Sequence, residues 1–256
     1  MSNRFAFIIQ ARSGSKRLPN KIMMPFYNKE TVLDIQVNGL LQHFPGALII
    51  LATTTSKADD VVVEKYTGNN CLSIYRGEEE NVLKRFIGAA KAFGVENIIR
   101  VCADNPFLSM GYCGTMIDEY FKAMPDYCSY KFMNGTPAIK SHSGLFAEMV
   151  SLKALERVIN ETSEPLYCEH VTNYIYSHPG DFKIDFVPVP VILDEYVDRL
   201  RLTIDTQVDF VGLQKLYLAV LNKYGKEFTI EQLLAEVNND MELVKLMTEQ
   251  IKQYAK

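Results

Sequence analysis

The chain has 256 residues, 48% of them hydrophobic and 23% charged, enough apolar content to bury the core of one large domain or of one domain with an insertion. Its formal net charge of −4 is spread along the sequence, so no basic surface argues for nonspecific nucleic-acid binding. No apolar run approaches the roughly 18 residues of a membrane span, and the start lacks a signal-peptide hydrophobic region, so a cytoplasmic protein is expected.

In chain order, Phe5 to Ile9 is an unbroken apolar run that suits a parallel strand buried on both faces. It leads straight into Ala11, Arg12, Ser13, Gly14, Ser15, Lys16, Arg17 and, four residues on, Lys21. Such charge cannot be buried without a partner, and ligands of open parallel sheets sit beyond the carboxyl ends of the strands. The loop is therefore a candidate anion site, although it has neither the Walker A pattern nor GxGxxG, and a solvated basic turn is the plain alternative.

Helical spacing follows over Thr31 to Phe44, then a strand over Ala47 to Ala52 and a helix over Lys57 to Tyr66. Cys71 to Tyr75 reads as a strand, Asn81 to Phe93 as a helix and Asn97 to Cys102 as a strand. Strands alternating with helices of this length call for right-handed crossovers and a three-layer, mostly parallel α/β sheet. The rhythm breaks over residues 126 to 190, where aromatic residues, the turn Asn134-Gly135 and a tyrosine-rich helix from Leu166 to Tyr176 suit an inserted substrate lid or dimer interface. A short strand, Arg201 to Ile204, precedes a part that is helical from Val208 to Ala255, with breaks near Gly225 and Asn238.

Five cysteines without a CxxC pair read as reduced thiols, and four scattered histidines supply no metal-ligand spacing, so any metal should have oxygen ligands. Asp104 leaves the strand Asn97 to Cys102, and Pro106 keeps the chain extended there. Asp205 leaves Arg201 to Ile204. Each alone reads as a turn or helix-cap aspartate, but two such carboxylates facing a basic loop suit Mg²⁺, which takes one or two carboxylates plus water and phosphates. Asp209 reads as a helix-face acid of lower rank, and Arg100, if buried, requires an anionic partner.

The loop ARSGSKRLPNK resembles the ARxGSxRLPxK signature of the sugar-acid cytidylyltransferases, which activate 3-deoxy-manno-octulosonate and acylneuraminate, and is most similar to their SpsF-like branch. Matching segments follow in order: Arg76-Gly77-Glu78-Glu79 with Asn81-Val82-Leu83, Arg100 to Pro106, Glu169-His170-Val171-Thr172, and Arg201-Leu202-Thr203-Ile204-Asp205-Thr206. The resemblance implies a single Rossmann-like domain of the nucleotide-diphospho-sugar transferase type over 1 to 256, with 206 to 256 its helical end.

It also implies Mg²⁺-dependent transfer from CTP to a sugar acid, for surface polysaccharide, in a homodimer. Arg12, Lys16, Arg17 and Lys21 would hold the triphosphate, with Ala11, Ser13, Gly14, Ser15, Arg76 and Gly77 in the nucleotide pocket. Arg12, Lys21, Asp104 and Asp205 would be catalytic, the two aspartates as metal ligands. Glu148, Glu169 and His170 would contact the acceptor, although Cys168 stands where the branch often has arginine. Asn20 stands where glycine is common, and asparagine best tolerates the left-handed backbone such a turn needs. A sugar or polyol phosphate as acceptor, and a noncatalytic binder that kept the fold, are the alternatives.

Overall fold

Alternation along the first four strands decides the layers. In a computed structural model that describes residues 5–254, these strands are β1 (Phe5–Gln10), β2 (Leu48–Thr54), β3 (Ser73–Gly77) and β4 (Asn97–Cys102). Phe7, Ile9, Ile49, Leu51, Ile99 and Val101 enter one core, while Ala6, Ile8, Ile50, Ala52 and Ile98 enter the other. Side chains of a strand point alternately to opposite faces, so near-continuous apolar runs require cover on both sides.

That cover comes in two layers. The first core packs α1 (Val32–His43), α2 (Asp60–Tyr66) and, from the second half, α4 (Met110–Ala123). The second packs α3 (Val82–Ala92) and α5 (Leu152–Glu161). Short helices α6 (Pro165–Glu169), α7 (Asn173–Ser177) and α8 (Val191–Asp194) precede α9 (Gln207–Tyr224), α10 (Ile230–Asn239) and α11 (Met241–Gln253), which close the first layer. The helix starts are where side-chain oxygens cap them: Thr31 and Thr206 each form a reciprocal box with an aspartate three residues on, and Asn81 accepts from Lys84 N–H.

The seven-stranded sheet runs β3-β2-β1-β4-β6-β5-β7, with β5 (Tyr127–Lys131), β6 (Glu148–Ser151) and β7 (Ile184–Pro188) completing it. β1 pairs in parallel with both β2 and β4, so the order reverses there and opens a crevice at the carboxyl ends of β1 and β4. β6 is antiparallel to β4 and β5.

Three sequence expectations are corrected. Residues 126–190, read as irregular, contribute β5, β6 and β7 to the main sheet. Buried polar side chains, Ser129 and Glu148, interrupt the apolar runs there and hide the strands. Arg201 to Ile204 joins no sheet: all four side chains are buried, and the segment is fixed by two single backbone bonds, Leu202 N–H to His142 O (2.9 Å) and Ile204 N–H to Asp104 O (2.9 Å). The tyrosine-rich helix is broken in two, with Glu169 the last residue of α6 and His170 its C-cap. In the helical C-terminal part, Ala255 lies outside the described residues.

Gly144 allows the chain to close on this extended segment. Its φ is +63°, and a Cβ there would stand 2.7 Å from Leu202 O. Gly144→Ala is expected to cost about 1–3 kcal/mol, from a strained backbone and the steric push on Leu202. A thermal melt checks it, with a midpoint unchanged from wild type as the contrary result.

Candidate active site

The turn after β1 is shaped by one buried acid that sequence reading missed. Asp59 accepts from Ser13 N–H at 2.6 Å and from Ser13 Oγ at 2.7 Å through one oxygen, and from the Thr54 hydroxyl through the other. Burial alone would raise its pKa, but these hydrogen bonds outweigh it and hold it below the ordinary 3.8. The helical spacing over Lys57 to Tyr66 carries no separate signal for the burial of Asp59, which precedes α2.

A depressed carboxyl binds fewer protons in the folded than in the unfolded chain, so its stabilisation is complete above pH ~4 and lost as pH falls through the folded value. Asp59→Asn is therefore expected to flatten the acid side of the stability-versus-pH curve. Urea melts between pH 3 and 7 measure this, and an unchanged acid slope is the opposing result.

The same loop closes on itself. Ser13 O accepts from Ser15 N–H (2.8 Å) and Asn20 N–H (3.0 Å), and Asn20 takes the expected left-handed conformation at φ 60°, ψ 16°. Ser13 and Ala11 are buried, with Ala11 N–H donating to Ala52 O, so both shape the loop from beneath. Gly14, Ser15, Lys16 and Arg17 face a cleft of about 850 Å³, a size suited to a small-molecule ligand. Arg12 and Lys21 line it as well.

Asp104 and Asp205 meet in that cleft because Ile204 N–H donates to Asp104 O. Gln36, buried on α1, anchors the turn after β4 by donating from Nε2 to Cys102 O and Asn105 O, each at 2.9 Å. The cap of α9 is Thr206 and not Asp205, which leaves the Asp205 carboxylate available to the cleft.

Beneath it lies a second feature missed in the sequence. Arg201, fully buried, grips Asp209 with two hydrogen bonds (Nε to Oδ1, 2.7 Å; Nη2 to Oδ2, 2.9 Å), reaches Asp205 Oδ2 at 3.0 Å and donates to His142 Nδ1 at 2.6 Å. Asp209 also accepts from the Asp205 and Thr206 amides, so it is a buried anchor and not a helix-face acid. Burial alone would raise the Asp209 pKa, but Arg201 and the amides hold it below the ordinary value. The spacing Arg201, Asp205, Asp209 was the available signal.

Lys21 Nζ donates to Asp104 Oδ2 (2.8 Å) and Ile204 O (2.6 Å) and lies 3.7 Å from Asp205 Oδ1. Burial alone would lower its pKa, but the two aspartates outweigh that and raise it. Arg17 Nη2 lies 2.7 Å from Asp205 Oδ1, with its guanidinium 5.0 Å from the Tyr254 ring centroid.

The opposite wall is formed by 138–144 and by residues around α6 and α7. Glu169 and His170 line it, and Glu169 lies 3.7 Å from Arg12 across the cleft. Lys140 also lines it, its ammonium 5.1 Å from the Tyr176 ring centroid.

Glu148 is placed differently from the expected acceptor ligand. It is buried, pairs with Arg100, and accepts from Tyr127 Oη (2.6 Å) and Thr172 Oγ1 (2.7 Å), so its oxygens are committed below the cleft floor. The anion required by Arg100 is thus supplied within the protein. Arg76 and Gly77 do not line the cleft: Arg76 clamps Thr54 O and Ser56 O at 2.8 Å each and pairs with Asp60 at 2.7 Å. Gly77 has no room for a Cβ, which would meet Tyr75 Cε1 at 2.8 Å. Cys168 is buried.

Among the described residues no cluster of three or more histidine, cysteine or acidic side chains could hold a metal ion. The donor set nevertheless fits Mg²⁺, because two carboxylates converge on one cationic atom and phosphates and water supply the rest.

The chain is similar to several known proteins. A spore coat polysaccharide biosynthesis protein, SpsF of Bacillus subtilis, is 32% identical over 220 residues, covering 84% of this chain and 87% of that one. An uncharacterized protein of Methanocaldococcus jannaschii, MJ1063, is 36% identical over 213 residues, 82% of this chain and 80% of that protein. The solved cytidylyltransferase of Leptospira borgpetersenii superposes with a TM-score of 0.76 at 25% identity, over 94% of this chain and 96% of that one. The cytidylyltransferase family model matches residues 6–255, and a match over that span makes the chain a member of the cytidylyltransferase family, a nucleotidyltransferase enzyme of α/β Rossmann-like fold.

Proposed function

We propose that the protein transfers CMP from CTP to a hydroxyl of a sugar acid, with Mg²⁺, releasing pyrophosphate and feeding surface-polysaccharide assembly. The observation that carries this is the convergence of Arg17, Lys21, Asp104 and Asp205 at the carboxyl edge of β1 and β4, in a cleft whose far wall offers Lys140. The Bacillus subtilis relative is a spore coat polysaccharide biosynthesis protein, which supports the polysaccharide destination of the product.

The residues have distinct tasks in this reading. Arg12, Lys16, Arg17 and Lys21 neutralise and orient the triphosphate so that the acceptor hydroxyl attacks the α-phosphorus in line. Asp104 and Asp205 would hold Mg²⁺, which when bound polarises the α-phosphoryl group and favours loss of the hydroxyl proton. Arg201 and Asp209 keep Asp205 in place. Lys140, with no carboxylate within ion-pair distance among the described residues, is the cation on the acceptor wall for an acid group. No covalent protein intermediate is needed.

Thermal unfolding with CTP, UTP, GTP and ATP, with and without Mg²⁺, tests this. At about a hundred times the dissociation constant, CTP with Mg²⁺ should raise the midpoint by about 5–10 °C. Pyrophosphate release with acylneuraminate or 3-deoxy-manno-octulosonate then checks the acceptor. A shift selective for another nucleotide overturns the donor assignment, and no shift with any nucleotide overturns the enzymatic reading of the cleft.

A further inference from the structure

Three oxygens surround the Lys21 ammonium: Asp104 Oδ2 at 2.8 Å, Ile204 O at 2.6 Å and Asp205 Oδ1 at 3.7 Å. It is therefore the cation on which both proposed metal-binding carboxylates converge. The side chains of Lys21 and Asp205 are each only 13% exposed, so water screens this contact poorly. Arg17 lies 2.7 Å from the same Asp205 Oδ1, and Arg201, on Asp205 Oδ2 and on Asp209, completes a set of three cations balancing Asp104, Asp205 and Asp209. A divalent ion entering this arrangement alone would meet two resident positive charges at the carboxylates it needs.

The same two cations belong to the loop that faces the cleft, where a triphosphate offers them stronger anionic partners. We propose that Lys21 is an internal place-holder for the metal: it fills the site between Asp104 and Asp205 in the nucleotide-free protein and leaves it when a triphosphate binds. Metal and nucleotide then enter together, and the protein without nucleotide takes up divalent ions poorly. The step is an exchange of ionic partners, with no bond made or broken covalently. It rests on the proposed nucleotide reading for what draws Lys21 away, but the place-holding itself is tested without nucleotide.

Mn²⁺ alone is the probe, titrated against the full-length chain and followed by electron paramagnetic resonance of the free ion. Lys21→Met should bind Mn²⁺ at least about tenfold more tightly than wild type, and adding Asp104→Asn should abolish the gain. A Lys21→Met protein that melts cooperatively yet binds Mn²⁺ within about twofold of wild type overturns the proposal.

A wild-type measurement guards against a variant that does not fold. With ¹⁵N-lysine labelling, the Lys21 ammonium signal should stay in place on adding MgCl₂ alone and move on adding CTP with MgCl₂. Movement with MgCl₂ alone overturns the place-holder role, and a signal unmoved by both overturns the exchange. Failure of the function assignment would show separately, as absence of any CTP-dependent change in the thermal melts while the Mn²⁺ gain of Lys21→Met persists.

Discussion

Asp104→Ala is expected to lower kcat by about 10²–10³-fold, the scale on which loss of one preorganised electrostatic partner of a transition state is felt. The effect should fall on kcat more than on the Michaelis constant for CTP, because the loop cations that grip the triphosphate remain. The fold should survive: Lys21 keeps its bond to Ile204 O and its approach to Asp205, and the backbone bond from Ile204 N–H to Asp104 O does not involve the removed side chain. Steady-state kinetics beside a thermal melt separate the two effects. Activity within about threefold of wild type in a folded Asp104→Ala protein would remove Asp104 from the mechanism.

Glu148→Ala carries the largest expected stability effect. Its carboxylate is buried beside the Arg100 guanidinium and accepts the Tyr127 and Thr172 hydroxyls, so truncation strands one buried charge and two donors at once. Removing one partner of a buried pair costs about 3–5 kcal/mol, which for a chain of this size lowers the melting midpoint by about 10 °C. Arg100→Met combined with Glu148→Met should recover part of that loss, since no charge is left unpaired. Calorimetric melts of the single and double variants check this, and a double variant no more stable than Glu148→Ala counts against the charge-stranding explanation.

The parallel half of the sheet was legible because each strand and helix there carries its own signal. Phe5 to Ile9 is an apolar run ending at a charged turn, and β4, apolar apart from Asn97 and Arg100, has the bounds read from the sequence. Thr31 and Asn81 mark the starts of α1 and α3 as caps. The second half failed the same reading for a physical reason. β6 is four residues long, begins with a buried glutamate, and finds its partners at Asn97–Arg100 and Tyr127–Cys128, so nothing local identifies it. The segment holding Asp205 is extended without a ladder, and tertiary bonds fix it, among them those to His142 O and Asp104 O and the one from Lys21 Nζ to Ile204 O.

The site divides similarly. Lys21, Asp104 and Asp205 were visible as charges at strand exits, and the structure brings them together. Arg76 and Glu148 misled because a charged residue near a strand end can face inward as well as outward. Arg76 is spent on two carbonyls and Asp60, and Glu148 on Arg100. Asp59, Arg201 and Gln36 act by holding other residues, and such work leaves no motif of its own.

The strand order places β3 and β7 at the two margins of the sheet. Both are five residues long, and β7 ends in Pro188, which has no N–H to offer a neighbouring chain. Short margins with a missing donor disfavour main-chain pairing between molecules and the edge-to-edge aggregation that follows from it. Any self-association would then rest on side chains of helices and loops, and a homodimer would be held by packed surfaces and not by a sheet continued from one copy into the next.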